Sequence, residues 1–407
     1  MSQSERANHG WRKIHWVERH MPIVRLLEDR LHEEQPFKGL KVAVCIHLEA
    51  KTARLALALR NLGAQVAVTS SNPLSAQDDV ALALGDKVQV FARRGASESE
   101  YLGYLKAVLS TEPELVLDDG GDLALLLHGE LAHLAPKVVG LCEETTTGVR
   151  RLRRLEREGT LRFPAVAVND AHMKYLFDNR YGTGQSVWDA VMRSTNLLIA
   201  GKTVVVAGYG WCGRGIALRA KGLGAQVVVA EVDPVRAAEA LMEGFLVVPL
   251  REAIAQADFV ITATGCAGVV QWEDILNAKP GAILANAGHF DVEIDVQTLR
   301  ARAQARPARD QLEEFTLPNG KRVYLLAQGR LVNLVAGDGH PAEIMDLSFA
   351  LQLLSLRWLV RHRGRLAPWL YPVPPEVDEE VARLFLESRG VRIDTLSDAQ
   401  RAYLERG

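Results

Sequence analysis

The chain has 407 residues, of which 48% are apolar and 24% charged, and its formal net charge is −2. Those proportions exclude a disordered, collagen-like or disulfide-stapled chain. The balance of 48 Lys+Arg against 50 Asp+Glu leaves no basic excess for a nucleic-acid backbone and points to a small-molecule partner.

The N-terminus is polar and charged, so no signal peptide is expected. No uncharged apolar run reaches the roughly 18 residues a membrane span needs. From Lys41 onward, short apolar runs alternate with helix-like stretches. Strands are predicted at 41–48, 64–70, 88–92, 115–117, 138–141 and 165–169, with a helix over 50–62. This rhythm predicts a parallel sheet covered on both faces. A second series starts at 203 and continues at 225–233, 247–250, 258–265 and 281–288. From Gly337 the pattern becomes a long helix-like run, 342–362. Residues 365–377 are proline-rich and read as an extended connector, followed by a short helical tail. The last quarter shows no strand run of its own and is expected to rejoin the first domain. The fold class is therefore α/β, with two doubly wound parallel-sheet domains. Cys45, Cys142, Cys212 and Cys266 stand far apart, which suits reduced thiols in a cytosolic protein. No metal site is expected, because the histidines lack paired ligand spacing.

The sharpest spacing motif is Gly208-Tyr209-Gly210-Trp211-Cys212-Gly213, between a strand and a helix-like run. In that context the first glycine allows the tight turn, the second admits a pyrophosphate, and the third lets helix and strand pack. Glu231 lies 23 residues after Gly208, at the end of the next strand. A carboxylate there accepts from a ribose 2′-OH and repels a 2′-phosphate, which favours NAD over NADP. Arg236 reads as a solvated helix residue.

Ligands of open α/β sheets bind beyond the carboxyl ends of strands, and several such ends here are polar. They are His47, Glu49 and Thr52; Asp118, Asp119 and Asp122; Glu143 and Glu144 with Thr145, Thr146 and Thr147; Asn169 and Asp170; and Asn286, His289 and Asp291. Asp122 and Thr147 also suit helix N-caps. Lys174 and Asp178 are i,i+4 neighbours if helical, which suits a surface ion pair. A lysine whose pKa burial lowers would instead serve as a base.

The stretches SNPLSAQDD, DDGGD, EETTTGVRRL, VNDAHMKYLFDNRYGTGQS, GYGWCGRG, NAGHFDVEID, GRLVNL and GHPAEIMDLSFA occur in order. Together they resemble the S-adenosyl-L-homocysteine hydrolase family along nearly the whole chain, in its short archaeal and bacterial form. The resemblance implies a redox-cycle hydrolase with tightly held NAD. In that cycle the ribose 3′-OH is oxidised, a base removes the 4′ proton, homocysteine leaves C5′, water adds there and the ketone is reduced. Carried over residue by residue, Lys174 with Asp178 would handle the 3′-hydroxyl proton, and Asp119 would be the base at C4′. His47 would manage the proton on sulfur and water, with His289 assisting. Glu144 would hold the ribose hydroxyls. Glu49, Thr52, His340 and Met345 would bind substrate. Thr145, Thr146, Thr147, Asn179, Gly208, Gly210, Gly213, Glu231, Asn286 and Asn333 would contact the cofactor.

The same resemblance implies a substrate domain over 1–182, an NAD domain over 183–338, a return segment over 339–390 and a helical tail over 391–407. Hinges near 170–184 and 338–345 would shut the cleft against water. A cytoplasmic homotetramer is the family expectation. Three departures stand out. Glu49 and Lys51 replace the common form's Thr and Glu in the base-reading stretch. Glu49 suits adenine's N6 donor, whereas a Lys–Glu pair would read hypoxanthine's O6 and N1–H, so S-inosylhomocysteine is an alternative substrate. Lys51 is nevertheless expected to face solvent, since charged side chains are seldom fully buried. The chain ends at Gly407, without the longer form's tail that reaches the NAD of a neighbouring protomer. Thr183 stands where the longer form has a cysteine. A conventional NAD-dependent hydroxyacid dehydrogenase and a non-catalytic NAD-binding regulator are the competing readings.

Overall fold

The computed structural model describes residues 2–405. Two helices, Gln3–Arg19 and Pro22–Leu31, precede the first strand. They went unread in the sequence because they lie outside the alternating rhythm. Strands β1 (Lys41–Cys45), β2 (Gln65–Thr69), β3 (Gln89–Phe91), β4 (Leu115–Asp118), β5 (Gly140–Glu143) and β6 (Ala165–Ala167) form one parallel sheet. Strands β7 (Thr203–Ala207), β8 (Gln226–Ala230), β9 (Leu246–Val247), β10 (Phe259–Thr262) and β11 (Ile283–Asn286) form the parallel part of a second. Val-rich runs such as Thr203–Ala207 are buried from their second residue onward, as expected of strands covered on both faces.

The second sheet departs from a purely parallel one. Strands β12 (Gln304–Arg309), β13 (Leu312–Thr316) and β14 (Arg322–Leu326) follow β11. β14 pairs parallel with β11, but β12–β13 and β13–β14 are antiparallel. β12 is exposed along its whole length and contains Pro307, which suits an edge strand and hides it from a hydrophobicity reading.

The end of the chain returns to the first sheet. The helix Ala342–Arg361 buries thirteen residues, and much of it joins the core around β1. The proline-rich stretch is more than a connector. Its β15 (Leu370–Pro372) pairs with β6 and makes the first sheet seven-stranded. The helix Pro375–Ser388 packs through Val377, Val381 and Leu384, whereas Asp398–Leu404 buries nothing. Residues 406–407 of the expected tail lie outside the described residues. Among the described residues, no helix is long and apolar enough to cross a membrane.

Strand order reverses beside β1 in the first sheet and beside β7 in the second. The crevice beyond the carboxyl ends of such strands is the ligand site of this architecture.

Candidate active site

One cavity of about 590 Å³ opens between the two sheets. His47, Glu49, Thr52, Asp119, Glu144, Lys174, Asp178, His289, His340 and Met345 all line it, as do Thr145, Thr146, Thr147, Asn179, Gly210 and Asn333. Four predicted residues do not. Gly208 and Gly213 form the back of the glycine loop. Glu231 accepts from the backbone N–H of Tyr209 (2.6 Å), Val232 (2.6 Å) and Asp233 (3.0 Å). Asn286 is fully buried, and its Nδ2 donates to the carbonyls of Gly288 (3.2 Å) and Phe290 (2.8 Å). Its amide therefore shapes the loop that carries His289.

The acid–base residues form two groups. In the first, His47 follows β1 and Asp119 follows β4, on adjacent parallel strands. His47 Nε2 lies 3.4 Å from Asp119 Oδ2, and its Nδ1 lies 2.7 Å from Ser75 Oγ. Burial pulls His47 down to about 4, so its imidazole is neutral near pH 7. Ser71 Oγ donates to Asp119 Oδ2 at 3.2 Å. His289 Nδ1 approaches Asp119 Oδ1 to 3.8 Å. Gly120 makes this possible: its φ is +109°, and a Cβ there would lie 2.5 Å from His289 Nε2. His47, Asp119 and His289 bring ligand atoms within 4.8 Å of one another, a grouping able to hold a metal ion. Spacing along the chain gave no hint of it, because the three come from separate loops.

In the second group, Lys174 Nζ lies 3.2 Å from Asp178 Oδ1 and 3.6 Å from Glu144 Oε1. All three side chains are buried, so this is no surface ion pair. Burial pushes Lys174 down, but Asp178 and Glu144 outweigh it and hold the ammonium above its ordinary value. The lysine is thus a cation and not a base made by desolvation. Burial pushes Asp178 up, yet Lys174 and His340 win and hold it low. Burial raises Glu144 to about 7. Asp178 sits in a π-helical segment, Tyr175–Gly182, a local form that recurs at functional sites. His340 Nδ1 lies 3.3 Å from Asp178 Oδ1.

Beneath both groups lies a pair the sequence did not single out for a role. Asp118 and Glu143 are register partners on β4 and β5, both fully buried. Burial raises Asp118 to about 7 and Glu143 well above its ordinary value. Glu143 Oε1 accepts from Gly120 N, Thr145 N and Thr145 Oγ1 at 2.8–2.9 Å. The pair thereby fixes the turns that present Asp119 and Glu144.

Lys51 is the clearest correction. It is buried and lines the cavity. Its Nζ lies 2.6 Å from Glu49 Oε2 and donates to the carbonyl of Asp338 at 2.9 Å. The paired carboxylate and the carbonyl give the buried ammonium partners in place of water, which the expectation of a solvent-facing side chain did not foresee. Thr183 carries no thiol, but Cys212 Sγ of the glycine loop lies 3.5 Å from its hydroxyl.

Comparison with known proteins shows the family. The S-adenosyl-L-homocysteine hydrolase model matches residues 1–135, and the model of that enzyme's NAD-binding domain matches residues 179–339. An adenosylhomocysteinase of Thermotoga maritima is 57% identical, over 98% of this chain and 99% of that one. This chain belongs to the S-adenosyl-L-homocysteine hydrolase family. An adenosylhomocysteinase of Pyrococcus abyssi is 52% identical, over 98% of this chain and 95% of that one. A protein of Methanocaldococcus jannaschii named S-inosyl-L-homocysteine hydrolase is also 52% identical, over 97% and 96%. A solved dipicolinate synthase chain from Bacillus halodurans covers 80% of this chain and 99% of its own, at 14% identity and a TM-score of 0.50; that likeness shows the fold alone.

NAD is the cofactor of this family's second domain, and the residues present fit it. Gly210 starts the helix Trp211–Gly222 with no side-chain cap, which leaves backbone N–H groups free for a pyrophosphate. Asn333 Oδ1 is buried without a hydrogen-bond partner, and the residue lines the cavity.

Proposed function

We propose that the cavity hydrolyses S-adenosyl-L-homocysteine reversibly to adenosine and L-homocysteine. The observation that carries this reading is the meeting of two acid–base groups in one cleft beside the glycine loop. NAD, when bound, supplies reversible oxidation of the ribose 3′-hydroxyl, which acidifies the 4′ C–H. Lys174, paired with Asp178 and Glu144, stabilises negative charge on the 3′-oxygen and, with Asp178, takes up the 3′-hydroxyl proton: as it accepts that proton the ammonium hands one of its own to Asp178. Glu144 Oε1 accepts from a ribose hydroxyl. Asp119 takes the 4′ proton and passes it through His47, 3.4 Å away, to the departing sulfur, which leaves the imidazole neutral again. In the second half, neutral His47 takes a proton from the water that adds at C5′, and His289 holds the sugar side of the site.

The division of labour follows the sheets. Residues 1–182 with 339–390 form the substrate domain, and 183–338 form the NAD domain. The Lys51–Asp338 contact crosses between them. A cytoplasmic homotetramer is the assembly and location this reading carries.

A second reading is favoured by one observation, the buried Glu49–Lys51 pair in the cavity wall. Adenine offers a donor at N6, whereas hypoxanthine offers an acceptor at O6 and a donor at N1. A cation beside a carboxylate complements hypoxanthine on both atoms. The test is a parallel assay of S-adenosyl- and S-inosylhomocysteine with chromatography of the released nucleoside. Release of nucleoside and homocysteine without net NADH supports the hydrolase, and the faster substrate fixes the base. Stoichiometric NADH release would favour a dehydrogenase instead.

A further inference from the structure

We infer that the helix Ala342–Arg361 positions the catalytic lysine, through Ser348 and Gln352 holding the two carboxylates that flank it. Ser348 Oγ donates to Asp178 Oδ2 at 2.8 Å. Gln352 Nε2 donates to Glu144 Oε2. In each carboxylate the helix takes one oxygen and leaves the other facing Lys174 Nζ, at 3.2 Å for Asp178 Oδ1 and 3.6 Å for Glu144 Oε1. The two donors are i,i+4, so they share one helix face. That face engages residues 170 and 208 positions away in sequence. No local interaction would place them there.

A packing role does not account for this pair. Ser348 and Gln352 have no exposed surface, and their neighbours Leu347, Phe349, Leu351 and Leu353 are apolar and buried. A leucine would fill the same space without desolvating an amide. Gln352 also carries a cost, because its Oε1 is buried with no partner. The helix keeps the amide where only Glu144 benefits. Buried carboxylates rotate unless their oxygens are held, and proton transfer is sensitive to small misplacements. The donor also affects charge. Glu144 faces Lys174, Asp178 and Asp119, and donation from Gln352 pulls its pKa down against burial. Asp178 faces Lys174 and His340, with Ser348 pulling the same way.

This inference rests on the hydrolase reading above. The test compares holoenzyme variants Ser348→Ala, Ser348→Thr, Gln352→Leu and Gln352→Met with the wild type. Readouts are kcat, KM, the pH profile of kcat/KM, adenosine binding by calorimetry and thermal unfolding. Ser348→Ala and Gln352→Leu are expected to lower kcat about tenfold or more, with KM and adenosine affinity within about threefold. Ser348→Thr, which keeps the hydroxyl, recovers most of the rate. Loss of the Gln352 donor moves the acid limb of kcat/KM to higher pH, since Glu144 then protonates sooner. Gln352→Met replaces the leucine variant if that one does not fold. Unchanged kcat and pH limb, a rise in KM alone, or a threonine variant as slow as the alanine one would overturn the inference. A wild type that releases no nucleoside would instead overturn the hydrolase reading itself.

Discussion

Lys51 Nζ lies 2.6 Å from Glu49 Oε2 in the wall of the cavity, and both side chains are buried. Glu49 is the more heavily engaged of the two: its oxygens also accept from Lys51 N at 3.0 Å and Thr52 N at 3.3 Å. Of the pair, the ammonium has the spare hydrogen, since its other partners are Glu49 and the Asp338 carbonyl. A base with an acceptor at C6 gains more from it than a base with a donor. Lys51→Met should therefore lower kcat/KM for S-inosylhomocysteine about tenfold more than for S-adenosylhomocysteine, the weight of one hydrogen bond to a charged group. Steady-state assays of both substrates measure this. Equal losses on the two would remove Lys51 from base discrimination.

Asp346 gives a pH-dependent stability. Its carboxylate accepts from Ile23 N and Val24 N, both at 2.8 Å, at the start of the helix Pro22–Leu31. Burial outweighs those bonds and raises it to about 7, above the ordinary 3.8. A carboxyl raised on folding holds its proton more tightly in the folded chain. Its stabilising contribution is full below about pH 4 and is lost as pH rises through 7. Asp346→Asn cannot ionise, so the melting temperature of the variant minus that of the wild type should rise by a few degrees between pH 5.5 and 8.5. Asp118, Glu143 and Glu144 titrate in both proteins and cancel in the difference. A difference that does not vary with pH would show that Asp346 is ionised throughout.

These two groups also mark how far the sequence could be read. Strands β1 to β11 announce themselves as apolar runs between turns, because the central ones, such as β1, β4, β7, β10 and β11, are buried along nearly their whole length and the short edge strands β3 and β9 still carry apolar residues. The glycine loop and the polar strand ends follow from the same logic. What escaped depends on partners distant along the chain. β15 looks like a proline connector until β6 supplies its ladder. Lys51 looks solvated until Glu49 pairs its charge and the Asp338 carbonyl accepts from it. Ser348 and Gln352 were visible as polar positions four apart on an apolar helix, but their meaning lay in Asp178 and Glu144. The His47, Asp119 and His289 cluster joins three loops whose proximity no spacing encodes.

Gly213 is fixed by close approach. A Cβ there would lie 1.9 Å from the Gly208 carbonyl oxygen, closer than any contact the loop can absorb. Gly213→Ala should push the helix Trp211–Gly222 away from β7 and open the pyrophosphate turn. NAD affinity, measured by calorimetric titration, should fall at least about tenfold. The first sheet shares no strand with this loop, so far-ultraviolet circular dichroism should change little. Wild-type NAD affinity in the variant would mean that the loop relaxes without cost.

Glu231 tests the cofactor assignment through charge alone. Three backbone N–H groups hold its carboxylate against the turn of the glycine loop. Held there, it repels a 2′-phosphate and favours the free ribose hydroxyl. Arg236 is exposed and lines the cavity, so a cation able to meet a phosphate stands nearby. Glu231→Gln keeps an acceptor for the loop amides and removes the charge. It should raise the ratio of NADP to NAD affinity about tenfold, while Glu231→Ser, which frees more space, should raise it further and weaken NAD binding. Competition titrations of the two cofactors read both numbers. If the glutamine variant keeps the wild-type ratio, discrimination lies in the shape of the pocket and not in this carboxylate.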